Sequence, residues 1–259
     1  MRIAVCIKQV PDTTELRLDP ETNTLLREGA AAVLNPLDEF PLAAACQLKE
    51  QTGGTVTAFT MGPPAAEDVL RTAVAMGADD GVLISDRVFA GADTWATSLV
   101  LARALEYQGG FDVILCGKQA VDGDTAQVGP GIAAHLNIPQ VTYVTSLEPG
   151  ETGRTVIVER LLDDQRVRLE VTTPVMLTVL KEYGEPRLPS LPARLAALTA
   201  VPARLDAAAL GFKPEEVGLK GSFTRVARVD TPKAARALTM LTGTTEDVAR
   251  QLAAILRQP

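Results

Sequence analysis

Residues 113–136 read VILCGKQAVDGDTAQVGPGIAAHL. The first four, Val113–Cys116, are continuously apolar and too short for a helix, the pattern of a parallel strand covered on both faces. A loop rich in glycine and aspartate follows, and then an apolar helical pattern over Ile132–Leu136. Pro130 lacks a backbone donor and is tolerated only in a first turn, which predicts a helix start near Ala126 or Gln127. That order aims the helix's positive end and free N–H groups beyond the strand's carboxyl end. Open α/β sheets bind ligands at that edge. Gly123 and Gly129 would let backbone approach a phosphate, and Thr125 adds a hydroxyl donor. Asp122 and Asp124 would repel phosphate if aimed at it, so they read as loop braces or ribose acceptors. The stretch is neither a P-loop nor a GxGxxG fingerprint. An ordinary capped turn uses the same residue types, and both readings stand at this point.

Outward from this stretch, Ile3–Ile7, Val56–Thr60 and Gly81–Ile84 have the same strand signature. Helical patterns lie between them. Asn35-Pro36 predicts a helix start, with Asn35 as N-cap, Pro36 in the first helical position and Asp38 as a capping acid. Leu37, Phe40, Ala44, Ala45 and Leu48 follow at helical spacing, and Pro41 among them predicts a kink or a late start. A second helix is predicted over Ala65–Met76 with Gly77 as its stop. A third follows Asp93, with Leu99, Ala102 and Leu105 inward and a stop at Gly109-Gly110. Strands alternating with helices predict an α/β fold, a three-layer and mostly parallel sheet with helices on both faces.

After Pro139 the texture changes. Val141–Leu147, Thr155–Leu161, Val167–Val171 and Pro174–Leu180 alternate apolar and polar residues, with an acidic turn at Asp163-Asp164. They read as antiparallel strands added to the sheet edge. Residues 1–181 would form this α/β domain. From Glu182 to Pro232, prolines and glycines punctuate short apolar pieces, which predicts an extended arm lying on something else. In 233–259 a terminal helix from about Thr244 places Val248, Leu252, Ile255 and Leu256 on one stripe; so short a helix must dock, on this chain or another.

Composition narrows the function. The 259 residues carry 25 Lys and Arg against 32 Asp and Glu, a formal charge of −7, and 4% aromatics. An acidic, aromatic-poor chain argues against nucleic acid as a partner. One histidine and three scattered cysteines without a CxxC give no Cys/His zinc site, and the cysteine count suits a reducing compartment. No run of about 18 apolar residues predicts membrane insertion. MRIAVCIKQV has no signal-peptide order of regions, so a cytoplasmic location is expected.

Two further strand ends reach the same edge, at Ala4-Val5-Cys6 and Thr60-Met61-Gly62-Pro63-Pro64. Thr94 and Thr97 lie one turn apart after Asp93, so both hydroxyls face one ligand or are surface threonines behind an Asp cap. Cys6, Cys46 and Cys116 read as small buried hydrophobes, and His135 as structural. Trp95 reads as core packing, with a ring beside a flavin as the alternative. No nucleophile–base pair is defensible with a single histidine.

These residues resemble a known family, the β subunits of electron transfer flavoproteins. The resemblance rests on Ile3–Lys8 with Gln9-Val10, Asn35-Pro36 leading to Leu48-Lys49-Glu50, Met61-Gly62-Pro63, 71–79 (RTAVAMGAD) and the loop Gly117–Gly129. Val158-Glu159-Arg160, Glu185-Pro186-Arg187 with Leu191-Pro192, 218–222 (GLKGS) and 244–247 (TTED) continue it in the family's order.

The resemblance implies the adenine-nucleotide-binding type of three-layer fold and a heterodimer with an α subunit that holds an electron-carrying FAD. It implies an electron-carrier subunit rather than a stand-alone enzyme. The β-subunit site would hold AMP through Cys6, Asn35, Asp38, Met61 and the run Ala120, Val121, Asp122, Gly123, Asp124, Thr125, Ala126, Gln127, Val128, Gly129, Pro130 and Gly131. In a bifurcating branch of the family a second FAD takes that place. NADH electrons are then split between ferredoxin or flavodoxin and a dehydrogenase or quinone oxidoreductase. Asp122–Pro130 and Ser85–Ser98 resemble the bifurcating branch, where Thr94 and Thr97 would contact the second flavin. The family's partner-recognition loop follows Leu191-Pro192 and is usually lysine-rich. Here Ala193–Ala200 has one basic residue, Arg194, with Leu195 as the apolar anchor; the alternative is that Leu191–Leu198 packs on this chain or on the α subunit. Two readings from other classes stand beside this one: a stand-alone adenine-nucleotide-binding regulator, and an ATP-using ligase or transferase with Lys118 on phosphate.

Overall fold

The computed structural model describes residues 1–12, 17–18, 25–26, 32–227 and 240–257. Its elements, in order, are β1 (Arg2–Cys6), β2 (Gln9–Pro11), β3 (Arg17–Leu18), β4 (Leu25–Leu26), β5 (Ala32–Leu34), α1 (Glu39–Thr52), β6 (Thr55–Met61), α2 (Glu67–Met76) and β7 (Asp80–Ile84). There follow α3 (Thr94–Tyr107), β8 (Val113–Gly117), α4 (Val128–Leu136), β9 (Gln140–Pro149), β10 (Thr155–Leu162), β11 (Gln165–Thr172), β12 (Val175–Val179), α5 (Leu191–Ala197), β13 (Ala203–Leu205), α6 (Gly218–Gly221) and α7 (Thr245–Leu256).

Nine strands form one sheet in the order β11-β10-β9-β12-β8-β1-β6-β7-β13. From β9 to β13 every neighbouring pair is parallel, and β10 and β11 continue the sheet antiparallel. Pairs β2–β5 and β3–β4 are separate two-stranded ribbons. Alternate strand residues divide the core. Ile3 and Val5 pack with Leu42, Leu48 and Leu70 under α1 and α2. Ala4 and Cys6 pack with Val100, Leu101 and Ile132 under α3 and α4. Burial on both faces is why these short strands are continuously apolar, and it gives the three expected layers.

Local chemistry sets the helix ends. Pro36–Asp38 form a short 3-10 turn, and α1 begins only at Glu39, which puts Pro41 in its first turn and removes the need for a kink. Gly53 ends α1 with a φ of 67° and Gly77 ends α2 with a φ of 124°. The expected second helix begins as a 3-10 turn, Pro64–Ala66, ahead of α2.

Two expectations are corrected. The stretch Pro174–Leu180 is not an antiparallel edge strand: β12 lies parallel between β8 and β9, with all five residues buried. Its run Val-Met-Leu-Thr-Val is nearly unbroken apolar sequence, the composition of a strand covered on both faces. The strand over Val141–Leu147 likewise runs parallel to β12 and turns antiparallel only against β10.

Residues 182–227 carry elements of their own. The chain packs α5 on α2 and adds β13 to the sheet beside β7. The chain divides into two compact units, Met1–Arg225 and Val226–Pro259. The stretch 228–239, where the expected arm passes into the C-terminal segment, lies outside the described residues. In the second unit, Thr244 and Asp247 form a reciprocal capping box at the start of α7. Leu252, Ile255 and Leu256 on that helix are exposed. No helix among the described residues is long and apolar enough to cross a membrane.

Candidate functional site at the carboxyl edge

After β1 the chain builds outward through β6 and β7 on one side, while β8 and β12 lie on the other. The strand order therefore reverses between β1 and β8, and a crevice at their carboxyl ends is where such sheets take ligands. Cys6 and Cys116 are register partners at this point. Burial, with the Asp38 charge adding to it, pushes the Cys6 thiol up to about 12, and burial likewise raises Cys116.

Asn35 and Asp38 are buried here, but neither caps a helix with its side chain. Asn35 instead holds the loop: its Nδ2 donates to the Gln119 carbonyl at 3.0 Å, and its Oδ1 accepts from the Val121 N–H at 3.2 Å. Asp38 accepts from the Lys8 N–H at 2.8 Å and also from the Gly117 N–H. Burial pushes its carboxyl up to about 7, against those hydrogen bonds, one from Asn35 and the Lys8 charge. A Cβ at Gly117 would lie 2.5 Å from Asp38 Oδ1 and 2.6 Å from the Leu37 carbonyl, so only glycine lets β8 end this close to the turn before α1.

The loop is fastened along its length. The Ala120 carbonyl accepts from the N–H groups of Gly123 and Asp124 at 3.3 and 2.8 Å. Lys8 Nζ reaches both Asp122 oxygens, at 2.6 and 2.8 Å. Asp124 accepts from the Gln119 side chain. Both acids are thus braces. Asp124 and Ala126 have left-handed φ values of 53° and 54° on either side of Thr125. An alanine in that region is uncommon and persists where its surroundings over-determine it. The turn at Ala126 delays α4 to Val128, later than Pro130 alone predicted. Residues 121–125 stay exposed, while Thr94 Oγ1 donates to Gln127 Oε1 at 3.1 Å from α3.

The two loop glycines differ. Gly123 has nothing within 4 Å of a would-be Cβ. Gly129 is buried, and its Cβ would lie 2.7 Å from Cys116 Sγ and 2.8 Å from Thr178 Cγ2. The missing side chain lets α4 pack closely on the sheet. Gly131 does the same against Ser98 of α3, 2.6 Å from Ser98 Oγ. The first-turn N–H groups of α4 lack intrahelical acceptors, as in any helix, and point past the loop.

Thr94 and the half-buried Thr97 lie on the first turn of α3, and Met61 ends β6 half-buried against the α3–α4 core. Trp95 is 48% exposed and is not core packing, as its position at a helix start allows. Its ring meets His135 at 4.6 Å and Phe223 at 5.2 Å, both edge to face. Leu191 and Leu195 on α5 are exposed along with Leu198; only Ala197 of that helix is buried, so the leucines do not pack on the described part of this chain. A cleft of about 220 Å³ lined by Cys46, Met76, Tyr183 and Arg187 lies apart from the loop. No group of three or more His, Cys, Asp or Glu among the described residues could hold a metal ion.

Sequence reasoning missed Lys8, Ser222 and Thr224. Lys8 follows β1 at the carboxyl edge, a position that could have marked it. Ser222 and Thr224 meet Asp93 across about 130 residues of sequence, with no local signal.

A family model described as electron transfer flavoprotein domain matches residues 22–210. The chain is 48% identical over 254 residues, 97% of its length and 96% of the relative's, to an electron transfer flavoprotein subunit beta of Thermoanaerobacterium thermosaccharolyticum. It is 44% identical over 260 residues, 100% and 98% of the two chains, to the caffeyl-CoA reductase-Etf complex subunit CarD of Acetobacterium woodii. It is also 44% identical over 266 residues, again 100% and 98%, to the acryloyl-CoA reductase electron transfer subunit gamma of Anaerotignum propionicum.

Proposed function

The chain belongs to the electron transfer flavoprotein family, as a β subunit, and from that premise we propose that its carboxyl-edge loop binds an adenine nucleotide in a heterodimer with an α subunit. The observation that carries this is the loop's construction. Asn35, Asp38, Lys8 and Thr94 fasten it at separate points, yet residues 121–125 remain open beside the α4 N-terminus. That is a preorganised backbone cradle for an anion. Ala120–Gly131 would hold the phosphates, with Thr125 as hydroxyl donor and Lys8 as the nearby cation. Cys6, Asn35, Asp38 and Met61 form the surrounding floor, the two polar residues by holding the loop in place.

Our reading is that the nucleotide is FAD. Thr94 already reaches the loop through Gln127, and Thr97 and the exposed Trp95 extend the surface beyond what AMP needs. Flavin, when bound, supplies the electron chemistry, and the protein orients it. The names of two relatives favour service to an acyl-CoA-type reductase or dehydrogenase, with NADH as donor and ferredoxin or flavodoxin as second acceptor in the cytoplasm. The exposed Leu191 and Leu195 on α5 are the proposed contact with that dehydrogenase. The alternative is an ordinary carrier with structural AMP; Asp122 and Asp124, held as braces by Lys8 and Gln119, are compatible with either.

Co-expression with the α subunit, acid release and separation of FAD from AMP tests this. Two FAD per heterodimer supports the flavin reading, and one FAD with one AMP supports the alternative. Absence of any nucleotide beyond the α-subunit FAD overturns the site.

A further inference from the structure

Cys6 and Cys116 have no part in the proposed electron chemistry, yet the fold sets them side by side. They are register partners on adjacent central strands, so their side chains leave the sheet on one face, and both join the core under α3 and α4. Both are free thiols, 6% and 8% exposed. A would-be Cβ at Gly129 lies 2.7 Å from Cys116 Sγ, so this sulfur sits directly beneath the first turn of α4. In-register neighbours hold their Cβ atoms at about the interstrand spacing, ~4.8 Å. A disulfide takes about 3.8 Å. Direct oxidation would pinch two central strands by roughly 1 Å, against close packing on both faces. One atom bridging the sulfurs spans the wider separation without drawing the strands together.

We propose that Cys6 and Cys116 form a dithiol site for a bridging thiophilic centre of the trivalent-arsenical class, on the floor of the crevice beneath the loop. Two S–H bonds break and two As–S bonds form. The arsenic-bound oxygen leaves as water with both thiol protons, and arsenic stays trivalent, so no oxidant is needed. The thiols need not ionise first, because the departing oxygen takes their protons. That matters here, since burial raises both of them and thiolate is scarce. The pair should therefore resist haloacetamide, which needs thiolate, while accepting the arsenical. Cys46 lies on α1, with its thiol directed at the Met76 carbonyl, and offers no second sulfur.

The test uses the full chain with its α subunit and phenylarsine oxide as probe, read by native and peptide mass spectrometry. The expected result is one adduct per β chain, mapped to Cys6 and Cys116. It should resist a monothiol wash, be released by 2,3-dimercaptopropanol, persist in Cys46→Ser and be lost in Cys6→Ser or Cys116→Ser. An adduct on Cys46, one that a monothiol removes, or none before denaturation overturns the proposal; mapping on the unaltered chain keeps this decidable should a serine variant fold poorly. The placement beneath the loop rests on the nucleotide reading above. With AMP at about ten times its dissociation constant, labelling should slow about tenfold. An unchanged rate with AMP demonstrably bound overturns that placement. An adduct on the pair in a protein that binds no nucleotide supports the dithiol site and sinks only the nucleotide reading.

Discussion

Asp93 and Thr224 are joined twice: one carboxylate oxygen of Asp93 accepts from the Thr224 N–H at 2.9 Å and from its hydroxyl at 3.0 Å. The other oxygen caps α3 through the Ala96 N–H at 3.0 Å, and the Asp93 N–H donates to Ser222 Oγ at 2.8 Å. One residue thus starts the helix that bears Thr94 and anchors residues 222–224 near the end of the first unit.

Asp93→Ala should destabilise the first unit by about 1 kcal/mol or more, the usual cost of a lost cap. Amide exchange at 222–225 should quicken with it. Burial works against the Asp93 charge, but hydrogen bonds from Ala96, Thr224 and Phe223 outweigh it and hold the pKa below the ordinary 3.8. The contribution is then present above that ordinary value and lost as pH falls through the lower folded one. Unaltered exchange at 222–225 in Asp93→Ala would refute the clasp.

Asp38 predicts the opposite slope. Burial raises it from an ordinary 3.8 to about 7 in the folded chain. Between those values the folded state binds the extra proton, so this contribution is greatest below about pH 4 and is lost as pH rises through 7. Urea midpoints of the native chain and Asp38→Asn should diverge across that window, with the variant flatter. Parallel curves would sink the assignment.

The loop glycines should separate by site. Gly129→Ala drives a methyl against Cys116 Sγ and Thr178 Cγ2 and should cost about 1–3 kcal/mol. Gly123→Ala meets open space and should change thermal stability by no more than about 0.5 kcal/mol. Equal melting shifts would mean that α4 does not pack as described.

Lys8 and Asp122 are 46% and 32% exposed, so their ion pair should contribute no more than about 1 kcal/mol to stability. Its effect should appear in binding. Lys8→Gln releases an aspartate charge beside the cradle and should weaken AMP several-fold at low salt, with less effect at high salt. Affinity unchanged at low salt would exclude Lys8 from the site.

Truncation after Gly243 removes α7 with its exposed Leu252, Ile255 and Leu256. The melting of the first unit should stay the same while α-subunit association weakens. Sedimentation of the truncated pair as an intact heterodimer would dismiss α7 as a docking element.

The parallel strands were legible because double burial leaves a continuous apolar run, as in Ile3–Ile7 and Val113–Cys116. Asp93 as a cap and Gly77 as a stop were equally plain, since both act within a few residues. Asn35 was misjudged for the reason that makes it interesting: its side chain spends its hydrogen bonds on Gln119 and Val121, more than 80 residues away. Strand β12 was misplaced because sequence order set it after a hairpin, while its composition already favoured the sheet centre. Whether Asp122 faced a ligand or a lysine depended on Lys8, which sequence alone did not bring near.

The sheet ends differently on its two sides, and both rims discourage growth. At one, β13 is three residues long and its Arg204 is tied to Glu67. At the other, β11 is longer but carries Arg166 and Arg168, paired with Glu159 and Glu148. A short strand and a charged one are poor templates for a neighbouring chain's backbone. Copies of this subunit therefore have little tendency to join edge to edge into fibres, and selective recognition is left to helical surfaces such as the leucines of α5.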